Sequence, residues 1–167
     1  TRDDIDRRGW TVTAYSERNV VLRSPLGRAV VVDDDPAPSV SVTPVAGVVT
    51  EGDALRWRLQ LSAPTDYGYV LVATAAPDPE GRAELASDDV PRRWLRRQAT
   101  VPDSTVPLHE LGLQIVIFIP EGVTTAMLRI PTSTDSITET AEWVALDIRD
   151  ELGGSLAPVV DGEILDG

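Results

Sequence analysis

The stretch 54–61, with the sequence ALRWRLQL, alternates between large apolar and polar side chains. At this period of two, the apolar residues fall on one face, and they are Leu55, Trp57, Leu59 and Leu61. The pattern predicts a strand with one face in a core and the other in solvent, as in many antiparallel sheets. We therefore expect Trp57 to be buried.

Six further segments have the composition of strands, and proline or glycine separates most of them. They are residues 39–43, 69–75, 113–119, 125–130, 142–148 and 160–165. No segment shows a long helical period. Many short strands with turns between them predict an all-β fold, an antiparallel β-sandwich.

The chain also divides along its length. Residues 1–35 contain three strand-like stretches (10–15, 19–23 and 28–32), which predict an N-terminal β-hairpin segment. This segment is either the end of a preceding module or a part that packs onto the main one. Residues 36–38 form a proline-containing linker. Residues 39–167 form the sandwich, in which 91–112 is an inserted loop or short helix.

The composition excludes several classes of function. The chain of 167 residues has 27 acidic and 15 basic residues, a net charge of -12, and no cysteine. Such an acidic chain is repelled by phosphate backbones, so we expect no nucleic-acid binding. Since no apolar run approaches the roughly 20 residues of a bilayer span, we also expect no membrane insertion. The lack of cysteine excludes thiol catalysis and Cys-ligated metals.

Six short motifs follow one another between residues 45 and 167. They are 49–53 (VTEGD), 72–75 (VATA), 86–88 (ASD), 119–124 (IPEGVT), 134–146 and 163–166 (EILD). In this order they resemble the motifs of the Calx-beta domain, an Ig-like module of sodium–calcium exchangers and bacterial surface proteins. Two departures are Asp89, where the family usually has an aromatic residue, and a closing acidic triplet reduced to Asp166. The resemblance implies an Ig-like sandwich of the Calx-beta type.

The resemblance also implies a Ca²⁺ site where loops meet at one end of the sandwich. The ligands carried over by position are Glu51, Asp78, Asp88, Asp135, Glu139 and Asp166. Ca²⁺ takes six to eight oxygen ligands, and carboxylates held close together repel one another unless a cation lies among them. The alternative is that these residues are solvated loop carboxylates of an acidic protein.

Two other features are open to interpretation. Glu142 begins a predicted strand, and we interpret it as a solvent-facing residue and not as a ligand. The cluster Arg92, Arg93, Trp94, Arg96 and Arg97 is a candidate docking site for an acidic partner, since arginine and tryptophan are favoured at interfaces. The alternative for the cluster is an exposed loop that Trp94 and Leu95 anchor to the sandwich.

The sequence favours a non-enzymatic extracellular or cell-surface module of a tandem array. Ca²⁺ at the loop end would stiffen module junctions and support adhesion, and the partners would be neighbouring modules or protein subunits. The alternative is a virion or surface-layer assembly protein that docks without calcium. A weaker reading is a carbohydrate-binding or hydrolytic module. Its stacking platform would come from the tryptophans, namely Trp10, Trp57, Trp94 and Trp143.

Overall fold

The computed structural model describes residues 7–13, 26–32, 38–134, 139–150, 154 and 159–167, and it gives only the backbone of the first two ranges. The chain divides into two compact units, Thr1–Ala37 and Pro38–Gly167. In the first unit, strand β1 (Arg7–Thr13) pairs antiparallel with β2 (Leu26–Val32). The strand-like stretch 19–23 lies outside the described residues.

The second unit contains two sheets. The three-stranded sheet has the order β3 (Val40–Ala46), β5 (Ala54–Leu61) and β8 (Thr125–Pro131). The five-stranded sheet has the order β4 (Val48–Thr50), β10 (Val160–Leu165), β9 (Glu142–Asp150), β6 (Tyr69–Ala76) and β7 (Gln114–Ile119). All pairs are antiparallel except β4 with β10. The prediction of an all-β sandwich is confirmed. The three-residue strand β4 was not predicted, because it is too short to show alternation.

The core lies between the two sheets, and β5 contributes its centre. The four large apolar residues of β5 are at most 1% exposed, as the alternation predicts. The buried indole of Trp57 donates a hydrogen bond from Nε1 to the carbonyl of Asp161, at 3.2 Å, so its polar atom is satisfied. At Gly162 of β10, a Cβ atom would come within 2.8 Å of the Trp57 ring, and only glycine leaves room for this packing.

The inserted segment 91–112 contains one short helix and one 3-10 turn. Helix α1 (Arg92–Leu95) buries Leu95, and the turn at Leu108–Leu111 buries Leu108. Both leucines belong to the main core, so the insertion is packed against the sandwich. Among the residues that the structure describes, no helix has the length and hydropathy needed to cross a bilayer.

Candidate metal centre

Four chain segments meet where β4 and β10 end and β9 begins. The backbone N–H of Glu51 donates to the carbonyl of Leu165 (3.1 Å), and the N–H of Thr132 donates to the carbonyl of Asp53 (2.9 Å). The N–H of Ser133 donates to the carbonyl of Asp89 (2.7 Å). These hydrogen bonds fix the loops after β4 and β8, the segment around Asp89 and the end of β10 at one end of the sandwich.

Three carboxyl groups converge at this end. Asp89, Glu139 and Glu142 each present an oxygen, and these oxygens all lie within 4.8 Å of one another. Two oxygens bound to one Ca²⁺ at 2.3–2.6 Å are up to about 5 Å apart, so the spacing suits a shared cation. Oδ2 of Asp89 also accepts the N–H of Ala86 (2.6 Å), which holds this side chain in place.

The environment of Glu142 favours its neutral form. Burial raises the pKa of its carboxyl to about 8, and the charges of Asp89 and Glu139, a hydrogen bond with Asp89 and the charge of Asp88 add to the effect. Glu142 is half-buried, and it has the same parity as the inward residues Val144, Leu146 and Ile148 of β9. Its interpretation as a solvent-facing strand residue was wrong, because the strand's inward face continues to its first residue.

Of the predicted ligands that the structure describes, one lies in the three-carboxylate cluster and the others lie outside it. Glu139 belongs to the three-carboxylate cluster, whereas Asp89 and Glu142 were not predicted. Asp88 is exposed and accepts a hydrogen bond from Thr105 Oγ1 (2.5 Å). Glu51 and Asp166 lie at the same end of the sandwich, next to the Glu51–Leu165 hydrogen bond, but outside the three-residue cluster. Asp135 lies outside the described residues.

Asp78 occupies a different environment. Its carboxylate accepts hydrogen bonds from the guanidinium of Arg82, from Nη2 at 2.5 Å and from Nε at 3.1 Å, and also from the backbone N–H of Arg82. These interactions lower the pKa of Asp78 to about 2. Asp78 thus has a fixed counter-charge and is not part of the carboxylate cluster.

The arginine-rich cluster lies on and just after α1. Arg92, Arg93, Arg96 and Arg97 are exposed, whereas Trp94 is half-buried and packs against the core beside buried Leu95. The two apolar residues therefore anchor the segment, and the four guanidinium groups remain available to a partner.

Each of the two missed residues carried a signal in the sequence. Extending the period-two pattern of β9 backwards from Leu146 and Val144 places Glu142 on the inward side. An acidic residue on the inward face of a strand end needs a proton or a cation. Asp89 carried a weaker signal, as an acid at a position where the family usually has an aromatic residue.

No protein-family model and no curated protein matches the chain at a significant level. Among solved structures, the chain is similar to an apo Calx CBD1 domain, with a TM-score of 0.45 and 12% identity over 77% of this chain and 98% of that one. A two-domain protein of unknown function from Bacteroides fragilis has a TM-score of 0.47 and 8% identity, over 78% of this chain and 46% of that one. CaCohA2 from Clostridium acetobutylicum has a TM-score of 0.36 and 18% identity, over 78% and 92%. These similarities are distant, so functional arguments rest on the residues of this chain.

Proposed function

We propose that the second unit is a non-enzymatic Ig-like module that binds Ca²⁺ at the Asp89–Glu139–Glu142 cluster. The observation that carries this proposal is the convergence of three carboxyl oxygens within 4.8 Å of one another. Three carboxylates supply up to six oxygens, and backbone carbonyls or water complete the six to eight that Ca²⁺ takes.

The raised pKa of Glu142 supports the same proposal. Glu142 binds a proton at neutral pH because burial, and then repulsion by the neighbouring carboxylates, disfavours its charged form. A divalent cation removes this repulsion and displaces the proton, so binding should release protons and should strengthen as the pH rises toward 8.

The test is thermal unfolding of residues 1–167 in Ca²⁺, in Mg²⁺ and in chelator. An ion that binds only the folded state stabilises it by about 2.7 kcal/mol at a hundredfold excess over Kd. Mg²⁺ should stabilise less, because it requires a tight octahedral shell and retains its waters. An unchanged Tm in millimolar Ca²⁺ and in chelator would contradict the proposal.

Matched variants locate the site. Asp89→Asn with Glu142→Gln should abolish the gain in Tm from Ca²⁺. The control, Asp103→Asn with Glu110→Gln, removes two exposed carboxylates from the inserted segment and should keep that gain. The pair Asp88→Asn and Asp135→Asn tests the ligands that the family resemblance implies. Loss of the Ca²⁺ response in the control pair would show that general charge, and not this cluster, is responsible.

The wider role follows from the position of the cluster. It lies at the end where the last strand, β10, finishes, so an ion there braces loops at an end of the module. We propose an extracellular or cell-surface module of a tandem array, in which Ca²⁺ stiffens junctions and the exposed arginines after Pro91 dock a neighbouring module or subunit. The array requires further copies of the module in the parent polypeptide. If the Tm does not depend on Ca²⁺, the alternative of a virion or surface-layer assembly protein is favoured instead.

A further inference from the structure

The outer face of the three-stranded sheet is positively charged. Arg56 and Arg58 of β5 and Arg129 of β8 are exposed, and they alternate with buried core residues on the same strands. No acidic residue occurs in β3, β5 or β8, although the chain has 27 acidic residues and a net charge of -12. The basic residues in the salt bridges among the described residues are Arg82, Arg149 and His109. The three arginines of the outer face take part in none of them.

The register brings two of these arginines face to face. Arg56 pairs with Arg129 across β5 and β8, and Arg58 pairs with Met127. Like charges directly opposite on neighbouring strands destabilise a sheet. The folded protein therefore bears an unfavourable pair that an acidic residue at either position would relieve, and an anionic partner on this face would relieve it in the same way.

We propose that this face, defined by Arg56, Arg58, Met127 and Arg129, docks an acidic polypeptide segment. Charge complementarity selects an anionic partner, and Met127, which is 48% exposed and lies opposite Arg58, adds an apolar contact beside the guanidinium groups. Methionine and arginine are both enriched at protein–protein interfaces. A long polyanion such as a nucleic acid fits less well, because beyond this small patch it meets the negative field of the whole protein.

The spacing of the arginines also fits an extended segment. Arg56 and Arg58 are two residues apart on one strand, a separation of about 6.8 Å. Carboxylates at alternate residues of an extended peptide repeat at the same distance, so one peptide reaches both guanidinium groups. Each guanidinium has a planar fork of donors that pairs bidentately with a carboxylate.

The experiment measures binding of a fluorescein-labelled octapeptide of alternating Glu and Thr to residues 1–167 by fluorescence anisotropy. The peptides for comparison are an alternating Gln–Thr octapeptide and one with its four Glu residues in a block. We expect the alternating acidic peptide to bind best and to lose affinity at high salt, where charges are screened. Equal binding of the alternating and blocked acidic peptides would overturn the extended geometry. Binding of the Gln–Thr peptide would overturn the role of charge.

The decisive variant is Arg129→Glu. It replaces the like-charge pair with an opposite-charge pair, so its Tm should equal or exceed that of the unchanged protein, while peptide affinity falls about tenfold or more. Arg149→Glu makes the same change of charge at an exposed position of β9 in the five-stranded sheet, outside both arginine clusters, and should alter affinity less than about twofold. The Tm of Arg129→Glu is measured beside its affinity, and a loss of binding at an unchanged or higher Tm does not reflect unfolding.

Three outcomes overturn the proposal. Equal losses in Arg129→Glu and Arg149→Glu would indicate a general effect of net charge. Full binding by Arg129→Glu would place the peptide elsewhere. Heparin that binds more tightly than the peptide, with the same dependence on Arg129, would identify an anionic polysaccharide as the class of ligand. None of these readouts uses Ca²⁺, so they are independent of the metal site.

Discussion

Two charge clusters flank the start of β9, and they shift the pKa of their carboxyl groups in opposite directions. Asp78 pairs with the guanidinium of Arg82, and this lowers the pKa of Asp78 to about 2. The same guanidinium lies 3.7 Å from the centre of the Trp143 ring. Glu142, the residue before Trp143, faces Asp89 and Glu139, and its pKa rises to about 8. Successive strand residues point to opposite faces, so adjacent positions reach these two environments.

The difference separates a structural carboxylate from a candidate ligand. Asp78 is ionised and has its counter-charge built into the fold, so it needs nothing from solution. The carboxyls around Glu142 neutralise part of their charge with a proton, which a metal ion can replace. Sequence alone shows two acidic residues near strand ends, and only the neighbours of each residue distinguish the two cases.

Removing the arginine of the first cluster should have the largest effect on stability. Arg82→Met leaves the Asp78 carboxylate, whose side chain is 1% exposed, without its cation, and it also removes the contact with Trp143. We expect a clear fall in Tm at pH 7. The control is Arg149→Met, which removes an exposed ion pair with Asp147 and should cost about 0–1 kcal/mol. Similar losses of stability in both variants would show that the Asp78–Arg82 pair contributes no more than an exposed ion pair.

Neutralising the second cluster should have a smaller effect, of the opposite sign. In chelator, the raised pKa of Glu142 means that the folded state binds more protons than the unfolded state between about pH 4.5 and pH 8. Stability therefore falls as pH rises through this window. Glu142→Gln should flatten this slope and raise stability at pH 8 by about 1 kcal/mol, a value reduced by solvent screening of a half-exposed group. Denaturant unfolding at pH 5 and pH 8 measures the effect, and an unchanged slope would contradict the assignment.

Much of the fold could be predicted because its signals are local. The alternation in 54–61 identifies a strand and its buried face, and the residues Leu55 and Trp57 are fully buried as expected. The pairing of β4 with β10 could not be predicted, since it joins residues more than a hundred positions apart through only three pairs. Local patterns define elements, whereas such long-range contacts depend on the whole fold.

The site was less predictable, for a physical reason. A carboxylate acts as a ligand only if its neighbours are also acidic and close, and these neighbours come from separate segments of chain. Asp88 and Asp89 are adjacent in sequence, yet Asp89 points into the cluster and Asp88 is held by Thr105. Asp78 resembled a ligand by position, but Arg82, four residues later, pairs with it. That i, i+4 pairing and the inward position of Glu142 in the β9 pattern are the parts of the site that the sequence could have shown.

The smallest effect on stability should come from replacing the guanidinium beside Asp78 with a cation of another shape. Because the pKa of Asp78 is lowered, its contribution to stability is present above its ordinary pKa near 4 and is lost as pH falls toward 2. Arg82→Lys keeps a positive charge but loses the planar fork that donates from both Nε and Nη2. We expect the pKa of Asp78, followed by NMR of its carboxyl carbon, to rise part of the way toward its ordinary value. Acid unfolding should then begin at a slightly higher pH, while stability at pH 7 changes less than in Arg82→Met. If Arg82→Lys leaves the acid transition unchanged, the positive charge alone holds Asp78 ionised, and the planar fork of the guanidinium is not needed.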